Sequence, residues 1–182
     1  DNVAILPRTK LTVLEHFTNC NDDTSALADD IIDALVTMNY DNVIDLQYHM
    51  DYGDPDPMNM NNHYPPSTRS FNYGIPKVPY TVFEGGSCLD HRYDYSDLTK
   101  GIMEEQLRLL SLESPAFDID LSVEWLADGL EASASLTCLT DGFDEYLQLY
   151  LVVFETEVRA YTGLNGDSRF RNVVLDMLPT PA

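Results

Sequence analysis

Hydrophobic residues along this chain change period once, near Pro115. Before it, short apolar runs alternate with segments whose apolar residues recur every three or four positions; after it, every second residue is apolar. The first pattern predicts alternating strands and helices, the second antiparallel strands with one wet face. Residues 11–17 read as a short buried strand. Asp22-Asp23-Thr24 then caps a helix with Leu27, Ile31, Leu35 and Met38 on its apolar side, and Asp29, Asp30 and Asp33 mostly opposite. Residues 43–49 form the next strand, which makes a strand-helix-strand unit with parallel pairing. The aperiodic stretch 51–66, rich in Asp, Asn, Pro, Met and Tyr, reads as a long ordered insertion. A short helix over 67–73 stops at Gly74. The strand 75–83 turns at Glu84-Gly85-Gly86 and returns through 87–90 as a hairpin. A last helix, capped by Ser96-Asp97, carries Ile102, Met103, Leu107 and Leu110.

Beyond Pro115, Phe117, Ile119, Leu121, Val123 and Trp125 alternate with polar residues. After an Asp128-Gly129 turn, Leu130, Ala132, Ala134, Leu136 and Cys138 do the same. Residues 146–158 and 170–177 supply two further strands. The expected architecture is an α/β domain over 1–115, containing the insertion, followed by an antiparallel β-sandwich-like domain over 116–182. Four strands fall short of the roughly seven that a self-sufficient immunoglobulin-like sandwich uses. The inward face, Phe117, Ile119, Leu121, Leu136, Leu149 and Leu151, therefore needs cover from the first domain or from another copy. The apolar segment Asn2, Val3, Ala4, Ile5 and Leu6 is a candidate strand to add to a neighbour's sheet edge.

Charge narrows the partners. The 182 residues carry 31 acidic and 10 basic side chains, a net of −21, so nucleic acids and anionic lipid surfaces are repelled. Scarce lysine and abundant Asp, Asn and Tyr suit an exported protein, and a start at Asp1 is read as a processed product. No apolar run reaches the roughly 20 residues of a transmembrane helix.

Candidate chemistry is sparse. Cys20 sits between a strand and a helix, where a redox protein would place Cys-x-x-Cys, but the second position is Asp23. A thiol beside carboxylates has a raised pKa, and a lone thiol cannot release a mixed disulfide by internal attack. Cys88 and Cys138 are the better candidates for a bridge, since the hairpin carries Cys88 away from Cys20; a free buried Cys138 fits equally. The four histidines, His16, His49, His63 and His91, lack helical i, i+4 spacing and read as ordinary strand and loop residues. Asp51, Asp54 and Asp56, or Asp141, Asp144 and Glu145, offer oxygen ligands that would suit calcium, without an EF-hand pattern. Otherwise no cofactor is expected.

The element order resembles a thioredoxin-like fold. The phrases Val13-Leu-Glu-His-Phe-Thr-Asn19, Tyr48-His49 with Asp54-Pro-Asp-Pro-Met58, Val78-Pro79-Tyr-Thr-Val82 and Phe170-Arg-Asn-Val-Val-Leu-Asp-Met-Leu178 are similar to the Omp-twenty-eight-related surface proteins of outer-membrane bacteria. That resemblance implies an extracellular or outer-membrane surface protein, with Pro79 as the cis-proline facing the thiol loop. The resulting expectation is a secreted, non-enzymatic structural or binding subunit on a redox-inactive scaffold. It would self-associate, by strand donation into a polymer, or bind another envelope protein. The alternatives are a monothiol oxidoreductase using Cys20 and Pro79, and a calcium-dependent surface module using the Tyr-rich residues 52–73.

Overall fold

In a computed structural model the described residues are 10–39, 41–97, 104–143 and 146–179. They form a mixed α/β fold with a six-stranded sheet and a separate two-stranded ribbon. In chain order the elements are β1 (Thr12–Thr18), α1 (Asp23–Met38), β2 (Val43–His49), α2 (Pro57–Asn61), α3 (Tyr64–Tyr73), β3 (Tyr80–Phe83), β4 (Arg92–Tyr93), α4 (Glu104–Ser111), β5 (Phe117–Leu126), β6 (Gly129–Cys138), β7 (Leu151–Val158) and β8 (Phe170–Leu178). The large sheet runs β4-β3-β1-β2-β8-β7, and β5 pairs with β6 alone. β1 and β2 are parallel in the register Thr12 to Val43, as the strand-helix-strand pattern predicts. β3 and β4 are antiparallel, so the hairpin exists, but its return strand comes at 92–93 after two 3-10 turns rather than over 87–90.

The structure departs from the expected elements in three places. First, β7 and β8 do not join β5 and β6 in one second sheet over 116–182. β8 lies beside β2, and adjacent residues on it bury into opposite layers: Val173 packs with Cys20 and Met58, Val174 with Tyr48 and Met50. A strand covered on both faces belongs inside a sheet that has helices on it. Second, the insertion is not all loop. Asp56 caps α2, Pro57 stands in its first turn, and α3 begins at Tyr64 with Pro65 and Pro66 in its opening turn. Gly74 ends α3 in the left-handed conformation, as expected. Third, the buried side of α1 is Ser25, Ala28, Ile32 and Leu35, while Leu27 and Met38 are exposed. That rotation turns the Asp29 carboxylate toward the buried His16.

Two apolar layers flank the central strands. Leu14, Ile32, Leu35, Val43, Phe83 and Leu107 fill the side under α1 and α4. On the other side Phe17, Leu46, Tyr48, Met50, Ile75, Val82 and Val174 pack together, with Phe17 and Tyr48 stacked at 5.0 Å. A buried ion pair ties α3 to this sheet. Arg69 donates to both oxygens of Glu15 at 2.7 and 2.9 Å, and Tyr48 and Tyr73 add their hydroxyls to the same carboxylate.

Candidate functional site

Cys20 ends the turn between β1 and α1, and two segments close over it. Asn19 donates its side-chain amide to the backbone carbonyls of Met50 and Asp54, at 2.9 and 2.6 Å, and Asn21 donates to that of Pro55 at 2.6 Å. These bonds dock the insertion on the thiol loop. From the other side Gly163 approaches so closely that a Cβ there would stand 2.2 Å from the Cys20 carbonyl oxygen, and the Leu164 amide donates to Asn21. The thiol is left 5% exposed, packed with Met58, Val158, Phe170 and Val173.

Asp56 organises this closure. Its Oδ2 accepts from the Cys20 amide at 2.8 Å and from His49 Nδ1 at 2.9 Å; its Oδ1 accepts from the amides of Met58 and Asn59. One fully buried carboxylate therefore caps α2, holds the thiol loop and orients a histidine. Burial by itself would raise the Asp56 carboxyl. The hydrogen bond and attraction of the His49 ring, with the amides of Cys20 and Met58, outweigh it and hold the group below the usual carboxylate value. For Cys20 the contributions point the other way: burial first, then the charge and hydrogen bond of Asp56, push the thiol up to about 12. At neutral pH such a sulfur stays protonated, and the thiolate is the nucleophile in disulfide exchange.

Pro79 is buried and follows a cis bond from Val78. Its neighbours Val78 and Tyr80 pack with Phe17 and Tyr48, in a different cluster from Cys20. Cys20, Cys88 and Cys138 are all free, so the expected Cys88–Cys138 pairing is not formed. Both of those thiols are exposed; at the Cys138 end of its strand Phe143 packs edge-on against Phe117, the residue opposite, and leaves the thiol uncovered. The carboxylates considered for calcium are otherwise engaged or scattered. Asp51 accepts from the Asp56 amide, Asp54 contributes its carbonyl to Asn19, and Asp56 is saturated by N–H donors. Asp141 is exposed, while Asp144 and Glu145 lie outside the described residues. Among the described residues no group of three or more His, Cys, Asp or Glu is placed to hold a metal ion.

Two buried polar clusters lie outside the sites expected from the sequence. His16, fully buried, meets Thr81 at 2.7 Å and Asp29 at 2.8 Å, and Thr18 donates to the same Asp29 oxygen. Asp45 is buried in β2 with amide donors from Gln47 and Asn172 on Oδ2 and none on Oδ1, and burial pushes it up to about 6. A groove of about 620 Å³ runs beside the thiol cluster, lined in part by Met58, Asn62, Glu155, Val158 and Tyr161. The cap signature Asp56-Pro57 was present in the sequence and is the signal that would have assigned Asp56 its role.

No family model and no curated protein matches the chain. Among solved structures it is similar to HBP35 of Porphyromonas gingivalis, with a TM-score of 0.72 at 16% identity over 95% of this chain and 58% of that one. It is also similar to protein AGR_C_4864 from Agrobacterium tumefaciens, with a TM-score of 0.58 at 14% identity over 94% of this chain and 73% of the other. The chain thus spans less than two thirds of HBP35. At these identities the likeness establishes the fold alone. Among the described residues no helix is long and apolar enough to cross a membrane.

Proposed function

We propose that this chain is a non-enzymatic structural or binding protein, built on a thioredoxin-like scaffold that has lost redox chemistry, acting outside the cytoplasm and associating with itself. The observation that carries the reading is the sealed thiol loop. Cys20 is buried beneath the insertion and the 161–166 loop, its thiol is pushed up to about 12, and the other two cysteines are exposed elsewhere. An exchange enzyme needs an accessible, low-pKa thiol and a resolving partner. Here Asp56, Asn19 and Asn21 bond the thiol loop to the insertion that covers it. The acidic composition and the phrases that resemble those of Omp-twenty-eight-related proteins support a place at the bacterial surface. Donation of a strand by Asn2, Val3, Ala4, Ile5 and Leu6, which lie outside the described residues, is one proposed route to assembly; calcium is not required by this reading.

Insulin reduction in the presence of dithiothreitol tests the redox part. The expected rate equals that without protein, and Cys20→Ser changes nothing. Catalytic turnover that disappears in Cys20→Ser would establish the monothiol oxidoreductase instead.

A further inference from the structure

We infer that the ribbon formed by β5 and β6 is the self-association surface, and that its occupant is the same ribbon of a second copy. The inference rests on the self-association proposed above and not on the loss of redox chemistry.

Every cross-strand pair on one face is apolar: Phe117 opposite Cys138, Ile119 opposite Leu136, Leu121 opposite Ala134, Val123 opposite Ala132, Trp125 opposite Leu130. The other face pairs Asp118 with Thr137, Asp120 with Ser135, Ser122 with Ser133 and Glu124 with Glu131, with Leu126 and Gly129 at the turn end. Such segregation along the strands is the mark of a sheet with one buried side. Yet Ile119 is 60% exposed, Leu121 55%, Val123 52% and Trp125 82%. An isolated two-stranded hairpin is marginal in water, so a covering layer would supply the stability the ribbon lacks.

Size and shape point to a second copy. The ribbon face is about 34 Å long. At the exposures of Ile119, Leu121, Val123, Trp125, Leu130 and Leu136, these residues present on the order of 700 Å², close to the roughly 800 Å² that each partner contributes to a standard interface. The large residues lie along β5 and the two alanines along β6. A two-fold axis parallel to the strands, midway between two stacked ribbons, sets each β5 over the partner's β6, with Leu121 and Val123 above the small side chains at 134 and 132. Large then meets small throughout the interface centre, as packed layers require. The charges of Asp118, Asp120, Glu124 and Glu131 point away from the seam. An anionic lipid surface is disfavoured as occupant by the net charge of −21. The same charge makes two copies repel at long range, so association should tighten as salt screens it.

Trp125 is the chain's single tryptophan, so its emission reads this face directly. Sedimentation equilibrium of the full chain, with emission recorded on the same samples, should give a dimer whose fraction rises together with a blue shift. Val123→Asp and Leu121→Asp should each raise the dissociation constant roughly 100-fold or more, because a carboxylate would be buried twice per dimer without a partner. These sites are solvent-exposed in the monomer, and an unchanged circular dichroism spectrum checks that the fold survives. Glu124→Gln, on the polar face, should leave the dimer intact. Dimers that persist in Val123→Asp, or that form while Trp125 keeps a water-exposed emission, would overturn the ribbon as the interface while leaving self-association standing; deletion of residues 1–6 would then test the strand-donation route. A wild-type monomer at all concentrations would overturn both. Its emission would separate two occupants, blue if the ribbon folds onto its own chain and red if the face awaits a different protein.

Discussion

Replacing Asp56 by alanine removes the acceptor for four donors at once: the amides of Cys20, Met58 and Asn59 and the Nδ1 of His49. Hydrogen bonds to a charged acceptor contribute about 1.5–3 kcal/mol each when taken singly, and they are not additive. His49 is only 2% exposed and its Nε2 already has no partner, so it cannot turn to water for compensation. Removing one member of a buried, paired set typically costs about 3–5 kcal/mol, the loss expected for Asp56→Ala. For a chain of this size that lowers Tm by about 10 °C. Asp56→Asn keeps one acceptor oxygen for the α2 cap and should lose about 2 kcal/mol. The sign with pH follows from the lowered Asp56 pKa: its contribution is complete above the usual carboxylate value and fades as pH falls through the lower folded-state value. The gap between wild type and Asp56→Asn should therefore narrow in acid. Urea unfolding against pH measures it, and alkylation of native Cys20 should accelerate in both variants as the insertion lifts off. A loss under about 1 kcal/mol with Cys20 still protected would refute the assignment of Asp56 as the clasp.

Further outcomes follow from the other buried groups. Asp45→Asn should stabilise the protein by about 2–3 kcal/mol at neutral pH, since the wild-type carboxyl, raised to about 6, must ionise in a buried site. That gain should fall away as pH drops from about 6 toward 4, where the wild-type group is protonated in the fold; a pH-independent difference would contradict it. Arg69→Met strands Glu15 and should cost about 3–5 kcal/mol, most of it recovered in the double variant Glu15→Leu with Arg69→Met. Gly163→Ala sets a methyl against the Cys20 carbonyl and should cost about 1–3 kcal/mol while speeding Cys20 alkylation; a neutral effect on both would mean that the loop does not roof the thiol.

What the sequence made legible follows the range of the forces involved. β1, β2, β3, β5 and β6 show in local periodicity, and α1 shows in its cap, because each is set by neighbours within a few residues. The partner of β8 was not legible: period-two reading assigns a strand one buried face, and Val173 and Val174 bury both. α2 was missed because five residues hold too little of a helical period, although Asp56-Pro57 marks its start. The clasp itself joins residues 36 apart in the chain, and the Glu15–Arg69 pair joins residues 54 apart, separations that no local pattern encodes. Cys20 stands out in the sequence by its place between β1 and α1. What the sequence withheld was the roof above it.

The proposed function depends on a thiol loop that serves the fold and not exchange. Mass-spectrometric mapping of iodoacetamide adducts on the native protein at neutral pH tests this most directly, with exposed Cys88, which lies away from the ribbon, as internal standard. The predicted result is rapid modification of Cys88 and none at Cys20 until the protein is unfolded. Modification of Cys20 in the folded protein at a rate equal to or above that of Cys88 would contradict it.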